Sequence, residues 1–172
     1  MSDSLFDLWA RRDPQWEKRY EDNIVKKFCD YGRGATSLRE DRGKLFGSGY
    51  EIYIVAFFIG LYNNQRRQLV DDAKKRKSFG HPIQNWGNIT ASVANGRKPY
   101  PKLRKFIFIA LIARADIDFI ALEEGDIKPA KAVDMLVQLM EEYANWGFHF
   151  IEDKMEDDAN YFFVKLLSSK SF

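Results

Sequence analysis

Two basic segments hold the side chains of this protein best suited to engaging a partner. Arg66, Arg67, Lys74, Lys75, Arg76 and Lys77 form one, and Arg97, Lys98, Lys102, Arg104 and Lys105 form the other. Lysine and arginine at this density neutralise phosphates, and aromatic rings beside them can stack on bases. Phe79, Trp86 and Tyr100 lie between or beside the segments. The second segment surrounds an expected helix start, whose unpaired N–H groups already carry partial positive charge, so a bound anion would relieve the crowding. These residues, Trp86 included, are the expected nucleic-acid interface. The competing reading is a solvated face, or a basic surface paired with acidic residues of the same chain.

That competition is written into the charge pattern. The 172 residues carry a formal net charge of +2, but residues 1–110 hold 21 Lys/Arg against 12 Asp/Glu and residues 111–172 hold 6 against 13. Such a division suits a polyanion-binding face beside an acidic one, or two halves that complement each other.

Other chemistry finds less support. His149, Glu152 and Asp153 would share a helical face, but their order reverses the Glu-x-x-His pattern of di-iron bundles and does not repeat. Cys29 follows Phe28 and reads as a small buried side chain, not a nucleophile. Tyr31-Gly32-Arg33-Gly34 follows a helix and lacks the lysine or third glycine of a phosphate loop. Glu123-Glu124, Glu141-Glu142 and Asp157-Asp158 are adjacent pairs, and adjacent helical side chains point about 100° apart. They read as an acidic surface. No catalytic residue, metal site or cofactor is expected, and the balance favours binding over catalysis.

The elements that must position these groups read as helices. The 14 Phe, 8 Tyr and 4 Trp supply a packed core, and the length suits one domain over residues 1–172. Asp13-Pro14 predicts a helix start, with Trp16, Tyr20, Ile24 and Phe28 on one face. Ser48-Gly49-Tyr50-Glu51 has capping-box form and opens an apolar helix to Tyr62. Residues 78–101 are rich in Gly and Pro and predict a long loop, with a short helix over 88–95. Pro101 opens a second apolar helix to about Ala115, also expected to be surrounded. A short helix over 116–124 stops at Gly125. Pro129 then starts an amphipathic helix carrying Val133, Leu136, Leu139, Met140 and Tyr143, which Gly147 caps or weakens. A last helix is expected over 159–167. The predicted fold class is all-α: an irregular or orthogonal bundle of five to seven helices around two apolar central ones.

The first residues carry Asp3 and Asp7 without an apolar run of signal-peptide length, and Cys29 is the single cysteine, so a reducing cytoplasm is expected. The apolar run from Ile52 to Tyr62 is shorter than the roughly 20 residues that cross a bilayer, and no membrane contact is expected.

Two stretches, LFGSGYEIYIVAFFIGLY and MEEYANWGF, resemble a small family of uncharacterised bacterial proteins, some labelled glycoside hydrolases. Residues 50–61 are also similar to the central helix of the small accessory protein of bacterial DNA phosphorothioation systems. The second resemblance implies a helical, DNA-associated protein of a DNA-modification or defence system, and the first a hydrolase acting on a glycan. A protein–protein adaptor or self-assembling subunit, its acidic third meeting a basic partner or another copy, is the remaining expectation.

Overall fold

The structure, a computed structural model, describes residues 3–29, 45–89 and 98–155. Spatial proximity divides it into two units, one holding Met1–Gln15 and Ser78–Glu141, the other Trp16–Lys77 and Glu142–Phe172.

The first unit opens with α1 (Leu5–Ala10), which the sequence reading missed. A capping box explains so short a helix: the Ser4 hydroxyl accepts from the Asp7 N–H, and the Asp7 carboxylate accepts from the Ser4 N–H. Phe6 and Trp9 of α1 meet Phe108 of α4 (Leu103–Arg114) at ring distances of 5.3 and 5.4 Å. Asp13-Pro14 does not start a helix. The Asp13 carboxylate instead accepts from the His81 N–H at 3.0 Å, and the Arg12 carbonyl accepts from the Ile83 N–H at 2.9 Å. These bonds draw the predicted long loop into the core, where Ile83 and Trp86 are buried.

The short α5 (Phe119–Glu124) is fixed at both ends. The Asp118 carboxylate accepts from the N–H groups of Ile120 and Ala121, and Gly125 closes the helix at φ 89°. The first half of α6 (Pro129–Met155) buries Val133, Leu136, Leu139 and Met140, as their spacing predicts. Helix α4 departs from expectation. It buries Ile107 and Leu111, while Phe106 and Ile109 are 63% and 61% exposed. One stripe is enough to seat a helix, and the opposite face, apolar as it is, points outward.

The second unit is not purely helical. Strand β1 (Trp16–Glu17) pairs antiparallel with β2 (Arg76–Lys77), Trp16 opposite Lys77 and Glu17 opposite Arg76. A π-helical turn at Glu21–Val25 then runs into α2 (Lys26–Phe28). Trp16, Tyr20, Ile24 and Phe28 are all buried, as a shared helical face requires, but Trp16 reaches the core from a strand. Cys29 is buried as well.

Helix α3 (Gly49–Asn63) is the apolar helix the sequence predicts, buried along most of its first half, but its end is not surrounded and Tyr62 is 72% exposed. Ser48 is its N-cap residue, yet the box does not close, because the Glu51 carboxylate accepts from the Gly47 N–H at 2.8 Å. Along α3, Ala56 and Gly60 lie against Gly147 and Tyr143 in the second half of α6. A Cβ added at Gly60 or Gly147 would fall under 3.0 Å from the opposing backbone, so two glycines let the helices touch main chain to main chain. Gly147 therefore does not end α6, which continues to Met155. Phe148, beside it, stacks on Tyr20 at 5.2 Å and meets Tyr53 edge-on at 6.0 Å. Among the described residues, no helix is long and apolar enough to cross a membrane. The last predicted helix, over 159–167, lies outside the described residues, as does most of the one over 88–95.

Candidate functional site

The second unit contains a cleft of about 550 Å³ between the β1 region and the chain leading into β2. Its construction starts with Glu17, a carboxylate only 7% exposed. A buried charge is tolerated where hydrogen bonds replace water. Glu17 Oε1 accepts from the Val70 N–H at 2.9 Å and from Asn145 Nδ2 at 3.0 Å, and Oε2 accepts from Arg19 Nε at 2.8 Å. Asn145 Nδ2 also donates to the carbonyls of Gln68 at 2.9 Å and Arg67 at 3.3 Å. The Arg67 N–H donates to the Glu142 carbonyl at 3.0 Å. Residues 67–70 have no regular structure, so these bonds from β1 and α6 fix them.

The opposite wall is a 3₁₀ turn, Ala73–Lys75, whose N-cap is Asp72. The Asp72 carboxylate accepts from the Lys74 N–H at 2.9 Å, and the Lys75 carbonyl accepts from the Lys18 N–H at 2.8 Å. Lys18, Arg19, Arg67, Lys74 and Lys75 thereby line one cleft. Arg19 is tied to Glu17 and lies 3.7 Å from Glu152, and its guanidinium sits over the Tyr20 ring at 4.3 Å. Lys18, Arg67, Lys74 and Lys75 have no carboxylate partner among the described residues.

The first predicted basic segment is thus sorted by the fold. Arg67, Lys74 and Lys75 reach the cleft. Arg66 lies 3.8 Å from Glu142. Arg76 donates through Nε to the Val70 carbonyl, which braces the 70–76 loop. Lys77 Nζ pairs with Glu21 at 3.0 Å and lies 5.5 Å above the Trp16 ring. Arg76 and Lys77 are half-buried and act in the architecture.

The second segment belongs to the other unit. Lys98, Lys102 and Lys105 are exposed, while Arg104 Nε donates to the Pro101 carbonyl at 3.0 Å. The first turn of α4 contains no acidic residue and no side-chain cap. Arg97 lies outside the described residues. Trp86 requires correction as a stacking residue: it is 1% exposed, and its indole N–H donates to the His81 carbonyl at 2.8 Å. Both ring faces are spent on packing.

The complementary-halves reading is realised in part. Arg12 meets Asp134 at 2.8 Å, and Glu152 and Glu142 lie within 4.0 Å of Arg19 and Arg66. These acids answer three arginines and, among the described residues, leave Lys18, Arg67, Lys74 and Lys75 unanswered. A second cleft, about 480 Å³, carries Asp22 and Glu152. Both are already engaged, Asp22 with Lys26 at 2.8 Å and Glu152 with Arg19. No group of three His, Cys, Asp or Glu able to hold a metal occurs among the described residues.

Sequence reasoning missed Lys18, Arg19, Glu17 and Asn145. Lys18-Arg19 was visible as a basic dipeptide, but nothing local marks Glu17 or Asn145 as partners across 128 positions. No family model, no curated protein and no solved structure matches the chain.

Proposed function

We propose that this chain is a non-catalytic nucleic-acid-binding protein that grips the phosphate backbone in the cleft lined by Lys18, Arg19, Arg67, Lys74 and Lys75. The observation that carries the reading is the set of four cations around one cleft that have no carboxylate partner among the described residues. Like charges held together by a rigid scaffold repel, and a chain of phosphates replaces that repulsion with attraction while releasing its own counterions. Glu17 and Asn145 serve by holding the 67–70 wall in place. Among the described residues, no aromatic side chain lines the cleft. Recognition is therefore of the backbone, which positions a nucleic acid without reading its sequence.

Fluorescence anisotropy with labelled single- and double-stranded oligonucleotides tests this. Four neutralised phosphates give a slope of about −3.6 in log K against log salt on duplex DNA and about −2.8 on single strands. Affinity for duplex then falls about 150-fold between 50 and 200 mM salt. Binding that is absent at 50 mM salt, or flat across this range, overturns the proposal.

A further inference from the structure

A different surface, in the first unit, has its own unanswered chemistry. The exposed N-cap Lys102 and the exposed α4 positions Lys105, Phe106, Ile109 and Ala113 are linked by steps of three or four residues (102–105–109–113 and 102–106–109), so they form one stripe along the helix. Two large apolar side chains sit in its middle and two lysines at its N-terminal end. Residues 98–114 contain five cations and no carboxylate. The next element reverses this. Residues 115–127 contain five carboxylates and no cation, and around them Phe119 and Ile120 of α5 are 40% and 70% exposed.

Both surfaces carry charges that go unmatched. Lys102 and Lys105 have no carboxylate partner among the described residues, and Asp116, Glu123, Glu124 and Asp126 have no cation. The α4 N-terminus adds unpaired N–H groups to its lysines, a doubly positive end with nothing acidic in its first turn. Each face offers an apolar centre with a charged rim, the anatomy of an interface, and the rims have opposite sign.

We infer that the α4 and α5 faces form a self-complementary interface with a second copy of this chain. The Phe106 and Ile109 stripe of one copy takes the Phe119 and Ile120 edge of the other, and the exchange is reciprocal about a two-fold axis. One chain supplies both halves of the match, and with α4 of each copy on α5 of the other the contact closes as an isologous dimer. The inference is independent of the nucleic-acid proposal, since it uses none of the cleft residues and is tested without nucleic acid.

Light scattering on the full chain measures the outcome. The wild-type protein is expected at twice 20.1 kDa at micromolar concentration and low salt. The variant K102E/K105E makes both faces acidic, and E123K/E124K makes both basic; each alone is expected at the single-chain mass. An equimolar mixture of the two restores opposite charges at both contacts and is expected to return to the doubled mass. Circular dichroism of each variant confirms that it is folded, and Phe106→Ser with Ile120→Ser gives a second, uncharged route to the single-chain mass. A wild-type protein of single-chain mass at all concentrations overturns the inference. So do folded variants that stay doubled, or a mixture that fails to reassociate.

Discussion

Gly147 on α6 rests against the backbone of Ala56 on α3, closer than any side chain would allow. The approach removes water from both helices along their line of contact and brings Phe148 onto Tyr20 and Tyr53. The Glu17–Asn145 bond, two residues before Gly147, depends on the same placement of α6. Packing and cleft are thus joined through a few consecutive α6 residues.

Replacing Gly147 by Ala should cost 3 kcal/mol or more, at or beyond the upper end for overpacking, because the opposing atoms are backbone. Gly125→Ala is the contrast. A Cβ there meets nothing within 4 Å, so only the φ of 89° resists it, at about 1 kcal/mol. Urea melts of the two variants should differ in this order. Equal losses would show that helix contact is not what Gly147 provides.

Asn145→Ala removes the donor shared by Glu17 and the Arg67 and Gln68 carbonyls. Leaving a buried carboxylate under-satisfied should cost about 2–4 kcal/mol. Because the 67–70 wall loosens too, oligonucleotide affinity should fall at a salt slope that changes little. Thermal melts and anisotropy on one sample check both halves.

The fold divides neighbouring cations by role. Lys74→Gln with Lys75→Gln should leave the melting temperature unchanged and reduce the salt slope by about 2. Lys77→Gln, which loses a half-buried pair with Glu21, should lower stability by up to about 1 kcal/mol and leave binding intact. Trp86→Ala should cost about 3–5 kcal/mol without a specific effect on binding, since the ring lies in the core. Loss of binding in folded Trp86→Phe would return that residue to the interface.

Burial pushes the Tyr20 phenol from 10.0 up to about 12, against the smaller opposing pull of Arg19. The folded protein keeps the phenolic proton where the unfolded chain has released it. The associated stability, roughly 2–3 kcal/mol, is complete below pH 10 and disappears as pH rises towards 12. Denaturation followed from pH 9 to 12 should show a steeper alkaline loss in the wild-type protein than in Tyr20→Phe. Parallel curves would assign the alkaline limb to other groups.

The sequence reveals more of the helices than of the cleft. Helix α3, the Gly125 stop of α5 and the Pro129 start of α6 were legible because apolar runs, helix-stop and helix-start residues and 3.6-residue periodicity are local signals, whereas the Asp118 cap was not read and the Ser48 box does not close. Trp16 was legible as a core residue but not in its backbone conformation, since a strand and a helix can bury the same side chain. Apolar composition also overstated the burial of α4, because it records which faces could be covered, not which are. The basic cluster at 66–77 was visible as charge. Its division into Arg67, Lys74 and Lys75 on one side and Arg76 and Lys77 on the other depends on the turn that brings Arg76 back to the Val70 carbonyl and on the distant partners Glu21 and Trp16, which spacing does not reveal.

Each unit is assembled from chain segments that the ribosome delivers far apart in time. Helix α3 emerges with its oily surface complete, yet Gly147, the residue that lets α6 close over it, follows about 90 positions later. At cellular elongation rates that interval lasts about 5–20 seconds. The nascent chain must shelter α3 throughout, and a holding chaperone is the expected companion of synthesis. A circular permutation that opens the chain before Pro129 delivers α6 ahead of α3 and should shorten that exposure and raise the soluble yield.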